Sequence, residues 1–330
     1  MGRCGGDIQV REPELGVRPA EDDPSRVDCI RGSQRNPLMT SFVAPVLATL
    51  LLGMTPQSSN AGAVAPLEPG GGMADGYHLV WADEFDNDGK LNKDNWTFES
   101  GFVRNSELQW YQPENAFSEN GLLILEARRE QQSNPRFKEG SKHWKKSRPQ
   151  SKYTSASITT RGRHEWQYGR FEIRARIDTR PGLWPAFWTL GTVGEWPSNG
   201  EIDIMESYQG SLLANVAWRS NKRWKPKWNA VKKPLVAFND PDWSQKFHIW
   251  RMDWDEKSIK IYVDGELLNQ TDLRETINGD AEGRNPFQQK HYLLLSLAIG
   301  GDNGGDPSET VFPARVEVDY VRVYQKTPPL

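Results

Sequence analysis

Cysteine is almost absent from this chain of 330 residues: its two thiols, Cys4 and Cys29, both lie near the N-terminus. Beyond position 29 no disulfide, thiol nucleophile or thiolate metal site can form. Histidine is nearly as scarce, with five residues and none paired at ligand spacing. Long apolar runs are also missing. The stretch 42–54 is apolar over only 13 residues, too short to span a bilayer and the right length for a signal-peptide core. No segment holds a sustained helical period, and there is no internal repeat. A dominant charge of one sign is lacking too: the net charge is −3, and residues 64–330 carry 35 basic against 37 acidic side chains. Such a balance gives no overall pull toward nucleic acid or a membrane surface.

Residues 1–38 are rich in Arg, Asp, Glu, Gly and Pro without apolar periodicity. Arg31 and Arg35 precede the apolar core, and Ala61-Gly62-Ala63 follows it as a small-residue cleavage site. Residues 1–63 therefore read as an N-terminal extension plus signal peptide, with a mature chain expected to begin near Val64 and to be secreted or periplasmic. A start at Met39 would remove both arginines, which leaves the true start open. Pro66, Pro69 and Gly70-Gly71-Gly72 make 64–76 a flexible lead-in. From Tyr77 onward the pattern is short strands punctuated by Gly, Pro, Asn and Asp. The clearest are 121–127, 169–177, 183–190, 247–254, 259–263, 292–299 and 316–324. Strands so spaced predict one all-β sandwich over 77–330.

One stretch is an odd way to write a strand: Gly200-Glu201-Ile202-Asp203-Ile204-Met205-Glu206-Ser207. Glu201 and Asp203, two apart, share a face, with Ile202 and Ile204 on the other. Strict alternation would then turn Glu206 into the core, where an unpaired charge is costly. A β-bulge near Ile204-Met205 swings Glu206 back onto the acidic face. The two glutamates would then stand roughly 13 Å apart along the backbone, at about 3.3 Å per residue. Long side chains leaning over Asp203 can close that to roughly 5–6 Å, the separation of nucleophile and acid/base in a retaining glycosidase. An acidic solvent face or a calcium site would also account for three such carboxylates.

The motif, with Trp184-Pro185-Ala186-Phe187-Trp188 shortly before it, resembles the active-site strand of glycoside hydrolase family 16, in its bulged, laminarinase-type form. The likeness runs from about Tyr77 to Gln325. It implies a concanavalin A-like jelly-roll β-sandwich whose concave sheet forms a cleft for an extended sugar chain. It also implies Glu201 as nucleophile, Glu206 as general acid/base and Asp203 tuning the pair, with no cofactor in the chemistry. Trp184 resembles a residue lining the subsite just before the scissile bond. Trp188 shares its face across the small Ala186, where flat indoles suit the apolar face of a glucosyl ring. Glu172, Arg174 and Asn105 resemble residues that hydrogen-bond sugar hydroxyls in the negative subsites. Glu84, the backbone of Gly121 and Asp319 resemble a structural calcium site on the convex face.

All 14 tryptophans fall between Trp81 and Trp254, more than a core of this size requires. Trp218, Trp224 and Trp228, set among Lys222, Arg223, Lys225 and Lys227, are expected on loops bordering the cleft. A second basic stretch runs over 136–152 around Trp144. Basic residues interleaved with aromatics suit single-stranded nucleic acid or an anionic polysaccharide, and equally a solvated loop. Two departures from the laminarinase pattern bear on substrate: no His in Asn215-Val216-Ala217-Trp218, and Ser296 where Asn is usual.

The sequence thus predicts a secreted, monomeric, retaining endo-glycosidase acting on β-1,3 or mixed β-1,3/1,4 glucan. Its partner would be the polysaccharide, with neither nucleic acid nor a membrane span in the mature chain. The rivals are a marine galactan substrate such as agar, porphyran or carrageenan, a transglycosylase, and a non-catalytic lectin of the same fold. A lectin would explain the tryptophans but not two glutamates flanking an aspartate.

Overall fold

The structure is a computed structural model and describes residues 75–326. The expected extension, signal peptide and cleavage site lie outside the described residues, as does nearly all of the lead-in. The described chain is one jelly-roll sandwich of two antiparallel sheets. The outer sheet runs, in spatial order, Glu266–Asp272, Ser258–Val263, His248–Trp254, Gly169–Ile177, Ala314–Lys326, Leu122–Ala127 and Ala116–Glu119, with Tyr77–Asp83 also paired to Ala314–Lys326. The inner sheet runs Pro226–Pro234, Ser211–Arg219, Glu201–Tyr208, Leu183–Gly191, His291–Ile299, Ser157–Thr159 and Thr97–Phe98.

The period-two pattern decides which side chains fill the space between the sheets. In Gly169–Ile177, Phe171, Ile173, Ala175 and Ile177 are buried while Arg170, Glu172, Arg174 and Arg176 face outward. Trp250, Met252 and Trp254 enter the same core from His248–Trp254, as do Leu293, Leu295, Leu297 and Ile299 from His291–Ile299. That last strand is buried on both faces, because a second apolar cluster of Trp188, Leu190, Tyr292 and Leu294 covers its other side.

Glu201–Tyr208 sits in the middle of the inner sheet, between two glycines that fix its ends. Gly200 has φ +77°, and a Cβ there would lie 2.9 Å from the Pro286 ring. Gln209 and Gly210 both have positive φ (49° and 69°) and form the two-residue turn that locks the strand to Ser211–Arg219. Across that pair Asp203 faces Asn215 and Glu206 faces Leu213, so two residues oppose the single Ala214. The bulge thus falls at Ile204-Met205. Ile202, Ile204 and Met205 all enter the core, and Glu206 returns to the face of Glu201.

Met205 is 2 % exposed within that core. Truncation at Met205→Ala is expected to cost about 2–5 kcal/mol of folding stability, the usual penalty for a buried methionine cavity. Urea unfolding measures it, and a loss under 1 kcal/mol would mean that the bulge does not anchor the strand.

Candidate active site

Side chains directly opposite on neighbouring strands share a face, so the register lays out the concave floor. One row reads Tyr292, Leu190, Glu201, Ala217 and Trp228; the next reads Leu294, Trp188, Asp203, Asn215 and Ala230; a third reads Ser296, Ala186, Glu206, Leu213 and Lys232. Glu201, Asp203, Glu206, Trp184 and Trp188 therefore converge on one surface, as the sequence predicts.

The two glutamates sit in different hydrogen-bond settings. Glu206 accepts from the Trp184 indole (2.8 Å) and from the Asn215 amide (3.0 Å), while the same amide reaches Asp203 at 3.2 Å. Glu201 accepts from the Trp196 indole. Burial pushes the Glu206 carboxyl up to about 7, and the Glu201 charge adds to the rise, against the donors that favour its ionised form. Asp203, 2 % exposed, is held well above the ordinary carboxylate range by burial and then by the charges of Glu206 and Glu201. Its side-chain hydrogen bonding favours the anions of both Glu201 and Glu206. Burial raises Glu201 as well, but the Trp196 N–H, the Asp203 hydrogen bond and the Arg104 charge all favour its anion.

Arg104, Trp196 and Asn215 belong to this site without having been singled out for it by sequence reasoning. The Arg104 guanidinium lies 4.9 Å over the Trp188 ring and pairs with Glu99, which also accepts from the Ser157 hydroxyl at 2.6 Å. One face of Trp188 is thus covered by a cation, and its indole N–H reaches Ser296 at 3.3 Å. The Arg104 loop is pinned from below: Gln109 bonds buried Glu107 (2.7 Å) and accepts the Ile299 N–H (2.8 Å). Asn105 lies in that loop in the left-handed region (φ 52°), and its carbonyl accepts the Asp302 N–H at 2.9 Å. The turn so engaged packs Gly304 against Trp184, which brings Asn105 to the same side of the cleft.

Other expected residues lie elsewhere. Glu172 and Arg174 are on the outer sheet, on the face turned away from the core, where Glu172 accepts from the Tyr320 hydroxyl (2.8 Å) and Arg174 pairs with Asp319 (2.6 Å). They do not line the cleft: alternation shows that one face is polar, not which sheet carries it. Trp218 is no loop residue but is 7 % exposed in the core. Trp228 stands on the edge strand Pro226–Pro234, leaving only Trp224 in the hairpin between these strands.

A jelly-roll cleft with two glutamates flanking a buried aspartate on its floor is the working surface of a glycoside hydrolase. The chain belongs to glycosyl hydrolases family 16, whose family model matches residues 104–322. It is 36 % identical over 264 residues to a β-glucanase of Rhodothermus marinus, covering 76 % of this chain and 85 % of that protein. The laminarinase catalytic domain of Thermotoga maritima MSB8 superposes with a TM-score of 0.63 at 36 % identity, covering 76 % of this chain and 99 % of that one. Another solved chain superposes with a TM-score of 0.71 at 32 % identity, over 78 % and 93 % of the two chains. It comes from work on endo-acting O-glycanases that members of the human gut microbiota express to initiate mucin breakdown.

The expected calcium ligands meet at one corner of the outer sheet, where Asp83 pairs with Val321 and Leu123 with Val318. Their carboxylates, however, are engaged by arginines. Arg322 grips both oxygens of Glu84 at 2.8 Å, and Arg174 holds Asp319. A calcium ion needs six or more oxygen ligands, and two guanidinium groups at the same carboxylates do not fit it. Among the described residues no group of three or more His, Cys, Asp or Glu is placed to hold a metal. Added calcium is accordingly expected to leave the melting temperature unchanged. A rise that Asp319→Ala abolishes would show that the cation displaces the arginines.

Proposed function

We propose that this protein is a retaining endo-β-glucanase that opens β-1,3 or mixed β-1,3/1,4 glucan by double displacement. Glu201 is the nucleophile and Glu206 the general acid/base. The observation that carries the reading is the contrast between two carboxylates on one floor. Burial raises both, but Glu201 has the Trp196 N–H, Asp203 and the Arg104 charge favouring its anion, whereas Glu206 is pushed up to about 7. In the first step Glu201 attacks the anomeric carbon while Glu206 protonates the departing oxygen. Ester formation removes the Glu201 charge, and with it one cause of the raised Glu206 pKa. Glu206 then accepts a proton from the incoming water, so the two half-reactions drive its change of role. No cofactor takes part. Asp203 positions the pair, with losses of about 10²- to 10⁴-fold expected on its removal.

The glucan assignment rests on the β-glucanase and laminarinase relatives. The galactan reading drew on two basic loops, one with Lys222, Arg223, Lys225 and Lys227 and the other over 136–152. In the second of these Arg148 is already engaged: it donates to the Ser106 and Glu107 carbonyls and stacks on Phe102 and Trp144.

Activity is expected to fall as pH rises through about 7, where Glu206 loses the proton it must donate. Replacing Asn215 by Leu removes a donor that favours the Glu206 anion, so the alkaline limb of kcat/KM should move to higher pH. An unmoved limb would take the acid role from Glu206.

Glu201→Ala and Glu206→Ala should both abolish hydrolysis of laminarin and lichenan, by different routes. Azide can enter the space left by Glu201 and attack directly, giving inverted configuration. The Glu206 variant should still form the glycosyl-enzyme from an activated aryl glycoside, and azide should release it with retained configuration. Near-normal activity of either variant on polymer, or the same anomer from both rescues, would overturn the assignment. Turnover of agarose, porphyran or carrageenan in place of the glucans would keep the mechanism and change the substrate.

A further inference from the structure

The inner sheet ends on one side in the strand Pro226–Pro234, which carries an unusual side chain for an edge. Trp228 is 46 % exposed, a large apolar surface left in water. Its direction is fixed by register. Trp228 lies opposite Ala217, which lies opposite Glu201, so all three stand on the concave face in one row. Strand spacing places Trp228 roughly 10 Å from the nucleophile's strand. The side chain between them is a methyl group, which leaves the floor open. Ala230, next on the same face, is also small, and Lys232 beyond it lies beside the Tyr208 ring at 5.9 Å.

The two sides of Glu201 differ in kind. Toward His291–Ile299 the floor is crowded by Trp188, Tyr292 and the Arg104 loop, walls that can grip and distort a sugar ring. Toward Pro226–Pro234 the outward-facing positions Trp228, Ala230 and Lys232 are exposed. In a double displacement one part of the chain stays esterified to the enzyme while the other must depart before water enters. The gripping side suits the part that stays, and the open side suits the part that leaves.

We propose that Trp228 is the stacking platform for the leaving part of the polysaccharide, two sugar rings beyond the bond that is cut. A β-linked hexose advances by about one strand spacing, so two strands correspond to two rings. The indole offers its flat apolar face to the C–H face of the second ring. This extends the glucanase reading and rests on it.

The test compares two substrates whose leaving groups differ in reach. An aryl β-glucoside of a short glucan oligosaccharide fills only the first position past the scissile bond, while laminarin reaches Trp228. Trp228→Ala should lose about tenfold more kcat/KM on laminarin than on the aryl substrate, and Trp228→Phe should recover most of the difference. Equal losses on both substrates, or none on laminarin, would overturn the proposal. Should the wild-type protein turn over no glucan, the substrate reading fails separately. Calorimetry of a β-1,3-glucan oligosaccharide on Glu201→Gln, with and without Trp228→Ala, then decides for the platform itself. A Kd weakened about tenfold supports it, and an unchanged Kd or no binding overturns it.

Discussion

Side chains on a strand alternate every second residue, yet the two glutamates that must face each other are five apart. That conflict between an even period and an odd spacing is what the middle of this protein is built to resolve. The doubled opposition of Ile204 and Met205 to Ala214 absorbs the odd residue, and both apolar side chains go into the core. The correction is local because Gly200 and the Gln209-Gly210 turn hold the strand's ends in register with its neighbours. Without it, Glu206 would be a buried charge, and Trp184 and Asn215 would have nothing to hold.

Once both glutamates share a face, their electrostatics follow from crowding. Three carboxylates on a few residues of one strand cannot all ionise in a half-buried cleft. The surrounding donors decide which of them carries the charge. Burial raises all three: Asp203, the most enclosed, is held well above the ordinary range, Glu206 is pushed up to about 7, and Glu201 has Trp196, Asp203 and Arg104 favouring its anion. Asn215 bridges Asp203 and Glu206.

Much of the fold is legible in the sequence because alternation is a local signal. The charged and apolar residues of 169–177 mark that strand to the residue, and the apolar run at 292–299 marks a strand buried on both faces. The bulge can be read from the cost of the alternative. Pro226–Pro234 is harder: its lysines, prolines and tryptophan have the composition of a loop, and an edge strand can tolerate them because one side of its backbone is unpaired. Glu172 and Arg174 mislead for a related reason. Their alternation is real, but which sheet they join depends on long-range pairing. Arg104 and Trp196 reach the site from loops, through space, and no spacing announces them.

The same edge strand has a consequence for how the molecules behave toward one another. Among the described residues no further strand pairs beyond Pro226–Pro234, so that border of the floor is left open. An unpaired backbone row is a template on which another chain's strand can add. Here prolines at 226 and 234 withhold amide donors, and Lys225, Lys227, Lys232 and Lys233 crowd positive charge along the row. A second copy approaching edge to edge meets like charge and missing donors, whereas an uncharged glucan meets neither obstacle. The border of the sheet thus acts as a filter, passive toward sugar and unreceptive to protein.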